Sequence, residues 1–328
     1  MRSKEEIERL KLGLERDLGR LILDALNDKK VFEIILNSDG NLWIDGIGGM
    51  INIGRIEPMN AYNIIMEVSG ILGQETHYSR PILEGEFPLG GRFEALIPPV
   101  VANPSFTIRK FASFIFPLDY YIESKAMTGE QKDAVVKSVL QRKNILVAGS
   151  TGSGKTTLSN AIIACIPEED RIVTIEDTNE LQIKNPNWLP LRTSLDIDMV
   201  MLLKATMRLR PDRIIVGEVR DKSAYALLKA WNTGHPGGVA TLHANSCEDA
   251  LFRLNSLVEE AGVIGQQKLI ARAVDLIIFI EKVQGGRIIK DIKYVKDYDG
   301  LNFILEDILE DDADDESNSN VIHIHNYS

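Results

Sequence analysis

The sequence contains few cysteines and no long apolar segment, and each shortage excludes a class of protein. Its two cysteines, Cys165 and Cys247, stand far apart and form no CxxC pair, which argues against a disulfide framework and a cysteine-rich zinc site. No run of about 18 uncharged apolar residues occurs, so we expect no segment that spans a bilayer and only peripheral membrane contact. The amino-terminal residues are charged from Arg2 onward and lack the apolar stretch of a secretory signal. We therefore expect a protein of the reducing cytoplasm.

Basic residues are absent from one segment near the carboxyl terminus. Eight acidic residues and no Lys or Arg lie between Glu306 and Glu316, in a chain whose formal net charge is -11. The rest of the chain is only mildly acidic, a balance that argues against tight, sequence-independent binding to duplex DNA. We expect no direct nucleic-acid binding. Residues 301–328 are predicted to form an acidic, disordered tail, in which we assign no metal role to His323 and His325.

The remaining composition is that of an ordinary globular protein, with 44% hydrophobic and 26% charged residues. A length of 328 residues favours about two domains with room for a tail. Residues 1–123 combine helix-like and strand-like periodicities and predict an α+β domain. Its expected elements are a helix over 5–26, strands over 31–36, 41–45 and 50–56, a helix over 60–72, and strands near 92–97 and 106–111.

Residues 124–300 show a different pattern, in which helical segments alternate with continuous apolar runs. Such runs are typical of parallel strands that helices cover on both faces. The runs lie at 145–148, 172–175, 214–216 and 276–280. The predicted class is therefore α/β, with a mostly parallel sheet in the second domain.

The most informative segment is a complete GxxxxGK[ST] motif that follows the first of these runs. It consists of Gly149, Ser150, Thr151, Gly152, Ser153, Gly154, Lys155 and Thr156. Glycines let the backbone N–H groups turn toward a phosphate, and the positive end of the following helix adds a favourable field. Lys155 is expected to bridge the β- and γ-phosphates and Thr156 to ligate Mg²⁺, with Thr157 completing the predicted nucleotide-binding residues.

Polar residues follow the other predicted strands, at the edge where open α/β sheets bind ligands. Glu218 either positions an attacking water and completes the Mg²⁺ shell through a water, or is a solvent-exposed strand end. Gly217 stands where many P-loop proteins have an aspartate, so direct carboxylate coordination of the metal is not expected. Glu176 or Asp177 either shares this work or serves as a turn carboxylate.

One histidine is a further candidate for a residue of the nucleotide site. His243 ends a short apolar segment and either reads the γ-phosphate or is structural. His77 and His235 we interpret as structural.

Four segments, taken in order, resemble those of the traffic ATPases of type II and type IV secretion systems and pili, and most of all the conjugal-transfer members. They are the glycine motif, 174–177 (TIED), 210–218 (RPDRIIVGE), and 231–238 (WNTGHPGG) continuing to 243–245 (HAN). The resemblance covers about residues 5–300. It implies a PAS-like first domain, a RecA-like P-loop domain and ATP hydrolysis with Mg²⁺.

The resemblance also implies functional roles for individual residues. It makes Glu176, Glu218 and His243 catalytic, and it implies a homohexameric ring in which Arg92 and Arg109 of the first domain reach the nucleotide. A link near Ser124 would act as the hinge between the domains.

The function that the resemblance implies is a motor of a conjugative type IV secretion system, in contact with cytoplasmic and inner-membrane components of that apparatus. A pilus-retraction or other type II/IV secretion ATPase is the nearest alternative. A nucleic-acid translocase and a nucleotide-gated scaffold without turnover are alternatives of another class.

Overall fold

A computed structural model of the chain describes residues 4–46, 49–111, 115–194, 196–283 and 286–308. The chain divides into two compact units, Met1–Ser113 and Phe114–Ser328. The boundary expected between residues 123 and 124 differs from this division, because Leu118 and Tyr121 are buried in the core of the second unit.

The predicted hinge near Ser124 also belongs to the second unit. The backbone N–H groups of Ala126 and Met127 both donate to the carbonyl oxygen of Tyr121, at 2.8 and 3.0 Å. Both side chains are buried in the same core as Tyr121. The predicted hinge segment is therefore part of the folded core of the second unit.

The first unit is a six-stranded antiparallel sheet, in the order β3-β2-β1-β6-β5-β4, with helices packed on one face. Its described elements are α1 (Lys4–Asn27), β1 (Val31–Leu36), β2 (Asn41–Gly46), β3 (Ile51–Arg55), α2 (Pro58–Leu72), β4 (Ile82–Glu86), β5 (Arg92–Leu96) and β6 (Ser105–Arg109). The predicted α+β pattern is confirmed, whereas β4 was not predicted. Gly19 interrupts the helical backbone of α1 with φ 66° and ψ 176°, a conformation that glycine adopts at little cost.

The core of this unit is formed by apolar residues that recur with the period of a helix in α1 and with the period of a strand in the sheet. Leu14, Leu18 and Ile22 are spaced by four residues along α1 and are buried together. On the strands, Ile34 and Ile108 point into the same core and are opposite one another in the register. Alternate residues such as Glu33 and Arg109 therefore lie on the other face of the sheet.

The second unit is built on an eight-stranded sheet in the order β14-β13-β12-β7-β11-β10-β8-β9. Its described elements are α3 (Leu118–Glu123), α4 (Gly129–Leu140), β7 (Ile145–Gly149), α5 (Lys155–Ile163), β8 (Ile172–Glu176), β9 (Trp188–Arg192), α6 (Met199–Thr206), β10 (Arg213–Val216), α7 (Ser223–Asn232), β11 (Val239–His243), α8 (Cys247–Glu259), α9 (Gln267–Ala273), β12 (Leu276–Val283), β13 (Gly286–Tyr298) and β14 (Phe303–Asp307). Neighbouring strands pair in parallel along the series β12, β7, β11, β10, β8 and β9. In contrast, β13 pairs antiparallel with both β12 and β14. The prediction of an α/β chain with a mostly parallel second sheet is confirmed.

The predicted tail begins too early. Residues 303–307 form β14, which pairs with β13, and Phe303 and Leu305 are buried. The acidic residues that alternate with them masked the strand pattern in the sequence. The rest of the predicted tail, with His323 and His325, lies outside the described residues.

A buried ion pair fixes the edge of the sheet where the parallel strands begin. Arg213 is 1% exposed and Asp170 is 3% exposed, and Arg213 Nε lies 2.6 Å from Asp170 Oδ2. The guanidinium also donates to the carbonyl oxygens of Val139 at 2.9 Å and Gly237 at 3.3 Å. Burial lowers the pKa of Arg213, and the hydrogen bond that Arg213 donates to Asp170 acts in the opposite direction. The pair and its hydrogen bonds thereby connect the starts of β8, β10 and β11 to the end of α4.

We predict that Asp170→Asn lowers the free energy of unfolding by about 3–5 kcal/mol, because it leaves a buried guanidinium without its carboxylate. Urea denaturation followed by tryptophan fluorescence measures this loss. Asp119→Asn is the matched control, since Asp119 pairs with Lys132 at the surface, and we expect it to cost about 1 kcal/mol or less. Equal losses in the two variants would contradict the assignment.

Candidate active site

The glycine motif forms a loop between β7 and α5, in the strand, loop and helix order that its sequence predicts. Gly152 has φ 71° and Gly154 has φ 95°, values in the left-handed region that residues with a side chain rarely adopt. Gly154 is followed directly by the first residue of α5. The loop therefore wraps around the start of a helix, where backbone N–H groups have no partner within the helix and attract anions.

Gly149 is required for another reason, which is close packing. A Cβ atom at Gly149 would lie 2.4 Å from the carbonyl oxygen of Ile280 and 2.5 Å from Ser153 Oγ. No side chain fits in that space. Ile280 of β12 and Ser153 of the loop therefore both pack closely against Gly149, at the end of β7.

Lys155 directs its ammonium group into this loop. The side chain is buried, and Nζ donates to the carbonyl oxygens of Gly149 and Ser150, each at 2.9 Å. Nζ also lies 3.3 Å from Nδ1 of His243. A buried ammonium held by three acceptors can exchange some of them for phosphate oxygens without moving far.

His243 connects this lysine to Glu218. Its Nε2 lies 2.8 Å from Glu218 Oε1. An ammonium group can only donate, so Nδ1 of His243 must be the acceptor from Lys155. In the neutral imidazole the proton is then on Nε2, which donates to Glu218. The three side chains form one hydrogen-bonded series that ends in a carboxylate.

The register of the sheet explains why these residues meet. His243 is the last residue of β11 and pairs in parallel with Gly149, the last residue of β7. Glu218 follows β10, which lies on the other side of β11. Parallel strands end at the same edge, so residues distant in sequence are brought together. The structure thus unites Lys155, His243 and Glu218, as the sequence led us to expect.

Glu176 occupies the end of the next strand, β8, and is buried. Its Oε1 accepts hydrogen bonds from the backbone N–H groups of Glu180 at 2.8 Å and Leu181 at 3.0 Å. A Cβ atom at Gly217 would lie 3.0 Å from Glu176 Cγ. The glycine found in place of the usual aspartate is therefore what makes room for Glu176.

Asp177 points to different partners. Its Oδ2 lies 2.5 Å from Nη2 of Arg220, and its Oδ1 accepts a hydrogen bond from the Thr193 hydroxyl at 2.7 Å. Of the two acids at this strand end, Glu176 is the one that contacts the segment leading to Glu218.

The first turn of α5 carries the residues predicted to hold a metal ion. Thr156 and Thr157 are half-buried there. In the part of the chain that the structure describes, no cluster of three carboxylate, histidine or cysteine side chains forms a ready cation site. Mg²⁺ keeps several waters and binds through one or two protein groups and the substrate phosphates, and the Thr156 hydroxyl at the start of the helix is one group of the kind it requires.

Arg92 and Arg109 belong to the first unit. They lie on β5 and β6 and are directly opposite one another in the antiparallel register. Arg109 Nε lies 3.6 Å from Glu33 Oε1, a residue opposite it on β1. The two arginines therefore share the sheet face that the helices leave uncovered.

His235 is separated from His243 by the length of β11. The turn that contains it is held by Asn144, whose Oδ1 accepts hydrogen bonds from the N–H groups of Gly237 and Gly238 at 2.8 and 3.0 Å. A Cβ atom at Gly238 would lie 2.0 Å from Nε1 of Trp231. These contacts hold the first half of the segment at the start of β11, and its end, at His243, lies beside the phosphate loop.

Two further features at the loop were not predicted from the sequence. Arg287 on β13 donates to the carbonyl oxygen of Gly152, although no motif surrounds it. A groove of about 470 Å³ also opens beside the loop. Its lining residues are Ser150, Thr151, His243, Ala244, Asn245, Asp249, Phe252, Arg253 and Ser256.

Most of the chain is similar to known proteins of one family. The sequence profile of the family described as Type II/IV secretion system protein matches residues 63–284. The conjugal transfer protein TrbB of Rhizobium radiobacter is 48% identical over 303 residues, which cover 91% of this chain and 94% of that protein. The type IV secretion system protein VirB11 of Bartonella quintana (strain Toulouse) is 33% identical over 320 residues, which cover 82% of this chain and 89% of that protein.

The fold is also found among solved structures. The pilus retraction motor PilT with bound ADP superposes with a TM-score of 0.61 at 22% sequence identity, over 83% of this chain and 80% of that chain. At this identity the likeness concerns the fold alone.

We predict that Lys155→Ala weakens the binding of a fluorescent ADP analogue by about tenfold or more, because one charge-assisted hydrogen bond to phosphate is lost. A fluorescence titration measures the Kd. Lys143→Ala is the matched control, since Lys143 precedes β7 at its other end and pairs with Asp275. An unchanged Kd in the Lys155 variant would show that this loop does not hold the nucleotide phosphates.

Proposed function

The chain belongs to the family of type II/IV secretion system proteins, and from that premise we propose that it is the hexameric, ATP-hydrolysing motor of a conjugative type IV secretion system. The observation that carries the proposal is the hydrogen-bonded series from Lys155 through His243 to Glu218 beside the phosphate loop. The similarity to a conjugal transfer protein across both units supports the choice of conjugation over pilus retraction.

In the proposed reaction, water attacks the γ-phosphorus of ATP and the bond to the oxygen of ADP breaks. Lys155 and the loop amides hold the phosphate charge, for which Lys155 exchanges the Gly149 or Ser150 carbonyl for phosphate oxygens. Glu218 orients the attacking water by accepting one of its protons in a hydrogen bond. His243 fixes the orientation of the Glu218 carboxylate, and Glu176 supports the loop behind it.

Mg²⁺ fits the residues at the start of α5. The Thr156 hydroxyl would hold it directly and Glu218 through a water. When bound, the ion supplies positive charge that offsets the charge of the phosphate oxygens. The Lys155 ammonium and the loop amides act in the same direction.

Arg92 and Arg109 are proposed to complete the site in a ring of identical subunits. Guanidinium groups match the charge that spreads over a transferring phosphoryl group. Two of them opposite each other on one sheet face can bind two oxygens of the same phosphate. Closure into a ring gives every subunit the same interface.

We propose a location in the cytoplasm, with peripheral contact to inner-membrane and cytoplasmic components of the secretion apparatus. Among the described residues, no helix is long and apolar enough to cross a membrane. Contact with the membrane would then depend on partner proteins.

Glu218→Gln is predicted to lower kcat by about a hundredfold or more while ADP affinity stays unchanged, because the amide cannot accept the proton of water as a carboxylate does. Steady-state ATP turnover with Mg²⁺ measures the effect, and Lys155→Ala serves as the inactive reference. Glu259→Gln, an exposed change on α8, is the matched control. Unimpaired turnover in Glu218→Gln would contradict the proposal that Glu218 orients the attacking water. If the wild-type protein binds ATP but does not turn it over, the result would favour a scaffold.

Mixing two inactive variants tests the ring. If the arginines act on the nucleotide of a neighbouring subunit, Lys155→Ala mixed with the double variant Arg92→Ala/Arg109→Ala will recover turnover, at about a quarter of the sites in a randomly mixed closed ring. Light scattering reports assembly in the same samples. Mixed rings that stay inactive would place the arginines on the nucleotide of their own subunit.

A separate measurement addresses the translocase alternative. Strong stimulation of ATP turnover by single-stranded DNA would favour a translocase.

A further inference from the structure

We infer that Arg287 is a positioning residue for the phosphate loop, which it holds through the Gly152 carbonyl. This inference rests on the proposed function of the same site. Arg287 lies at the start of β13, far from the glycine motif in sequence. Its Nε and Nη2 both donate to the carbonyl oxygen of Gly152, at 3.3 and 3.2 Å.

Fixing this carbonyl fixes the orientation of the next N–H group. A peptide unit is planar, and its C=O and N–H bonds point in opposite directions in the trans form. Because the Gly152 oxygen is drawn toward Arg287, the N–H of Ser153 is turned away from Arg287. That N–H lies 3.3 Å from the Ser150 carbonyl oxygen, the same oxygen that accepts from Lys155. Arg287 thus holds the Ser153 amide in the turn that also fixes the Ser150 carbonyl oxygen, one of the acceptors of the Lys155 ammonium.

The loop is shaped to receive this arginine. A Cβ atom at Gly154 would lie 2.9 Å from Arg287 Cδ and 3.1 Å from its Nε. Together with the contact of Gly149 and Ile280, this shows that β12 and β13 form a wall against the loop. Gly154 therefore meets two requirements, a left-handed backbone and room for Arg287.

The same strand is bound to the segment that follows α3. Two residues after Arg287, the N–H of Ile289 donates to the carbonyl oxygen of Ala126 at 2.7 Å. Burial raises the pKa of the nearby Tyr121 phenol, and the positive charge of Arg287 acts in the opposite direction. Arg287 is therefore anchored through its strand to the core and holds the loop from a fixed point.

A positioning role predicts a particular pattern of kinetic change. The loop amides hold the phosphates in both the ground state and the transition state, so loss of their orientation weakens binding in both. KM and the Kd for nucleotide should rise together, whereas kcat should change little. A lysine at this position keeps the charge but lacks the planar fork that donates twice to one oxygen.

The experiment compares Arg287→Gln and Arg287→Lys with Lys290→Gln in the full-length chain. Lys290 is exposed on the same strand and pairs with Glu281, so its variant removes the same charge without touching the loop. Fluorescence titration with the ADP analogue gives Kd, turnover with Mg²⁺ and ATP gives KM and kcat, and thermal melting without nucleotide reports the fold.

We expect about a tenfold rise in Kd and KM for Arg287→Gln, a smaller rise for Arg287→Lys, and no change for Lys290→Gln. The melting temperatures should be equal. An unchanged Kd in both Arg287 variants would overturn the inference while leaving the proposed function intact. An equal rise in Lys290→Gln would overturn it as well, because the effect would then be one of net charge. A wild-type protein that fails to bind the analogue would overturn both.

Discussion

The parallel register of β7, β11, β10 and β8 is the constraint on which the rest of the structure depends. It sets Gly149 beside His243 and brings the segments after β10 and β8 to the same edge. The side chains that meet there lie at the ends of four strands or in the segments that follow them, and they share no local sequence context. Their geometry is therefore only as stable as the sheet, and the sheet is held at its other edge by the buried pair of Arg213 and Asp170.

Missing side chains are as important at this edge as those that are present. Gly149 lets β12 approach the loop, Gly154 admits Arg287, and Gly217 leaves room for Glu176. Each of these glycines is surrounded by protein atoms, so phosphate binding alone does not account for them. Interiors pack without spare space, and an added methyl group at any of the three would displace a residue of the site. The loop is thus fitted to its own protein as well as to its ligand.

The first unit contributes a different kind of arrangement. Its helices cover one face of an antiparallel sheet, and Arg92 and Arg109 stand opposite each other on the uncovered face. The positive charges of two arginines opposite each other on neighbouring strands repel, and Glu33 beside Arg109 offsets part of this repulsion. An anion that binds both arginines would offset more. The ring proposed for this protein would bring such an anion, the nucleotide phosphate, to the pair.

Apolar periodicity and glycine spacing are local properties, and from them the fold class, most strand positions and the phosphate loop could be predicted. The sequence also indicated His243 and Glu218, which end apolar runs. It missed β14, whose buried Phe303 and Leu305 alternate with acids, and it placed the domain boundary after α3 although that helix packs into the second core. The hydrogen-bonded series of Lys155, His243 and Glu218 and the hydrogen bonds from Arg287 to the loop became evident only in the folded chain. Those contacts join residues far apart in the chain, and strand order and register, which no local pattern encodes, bring them together.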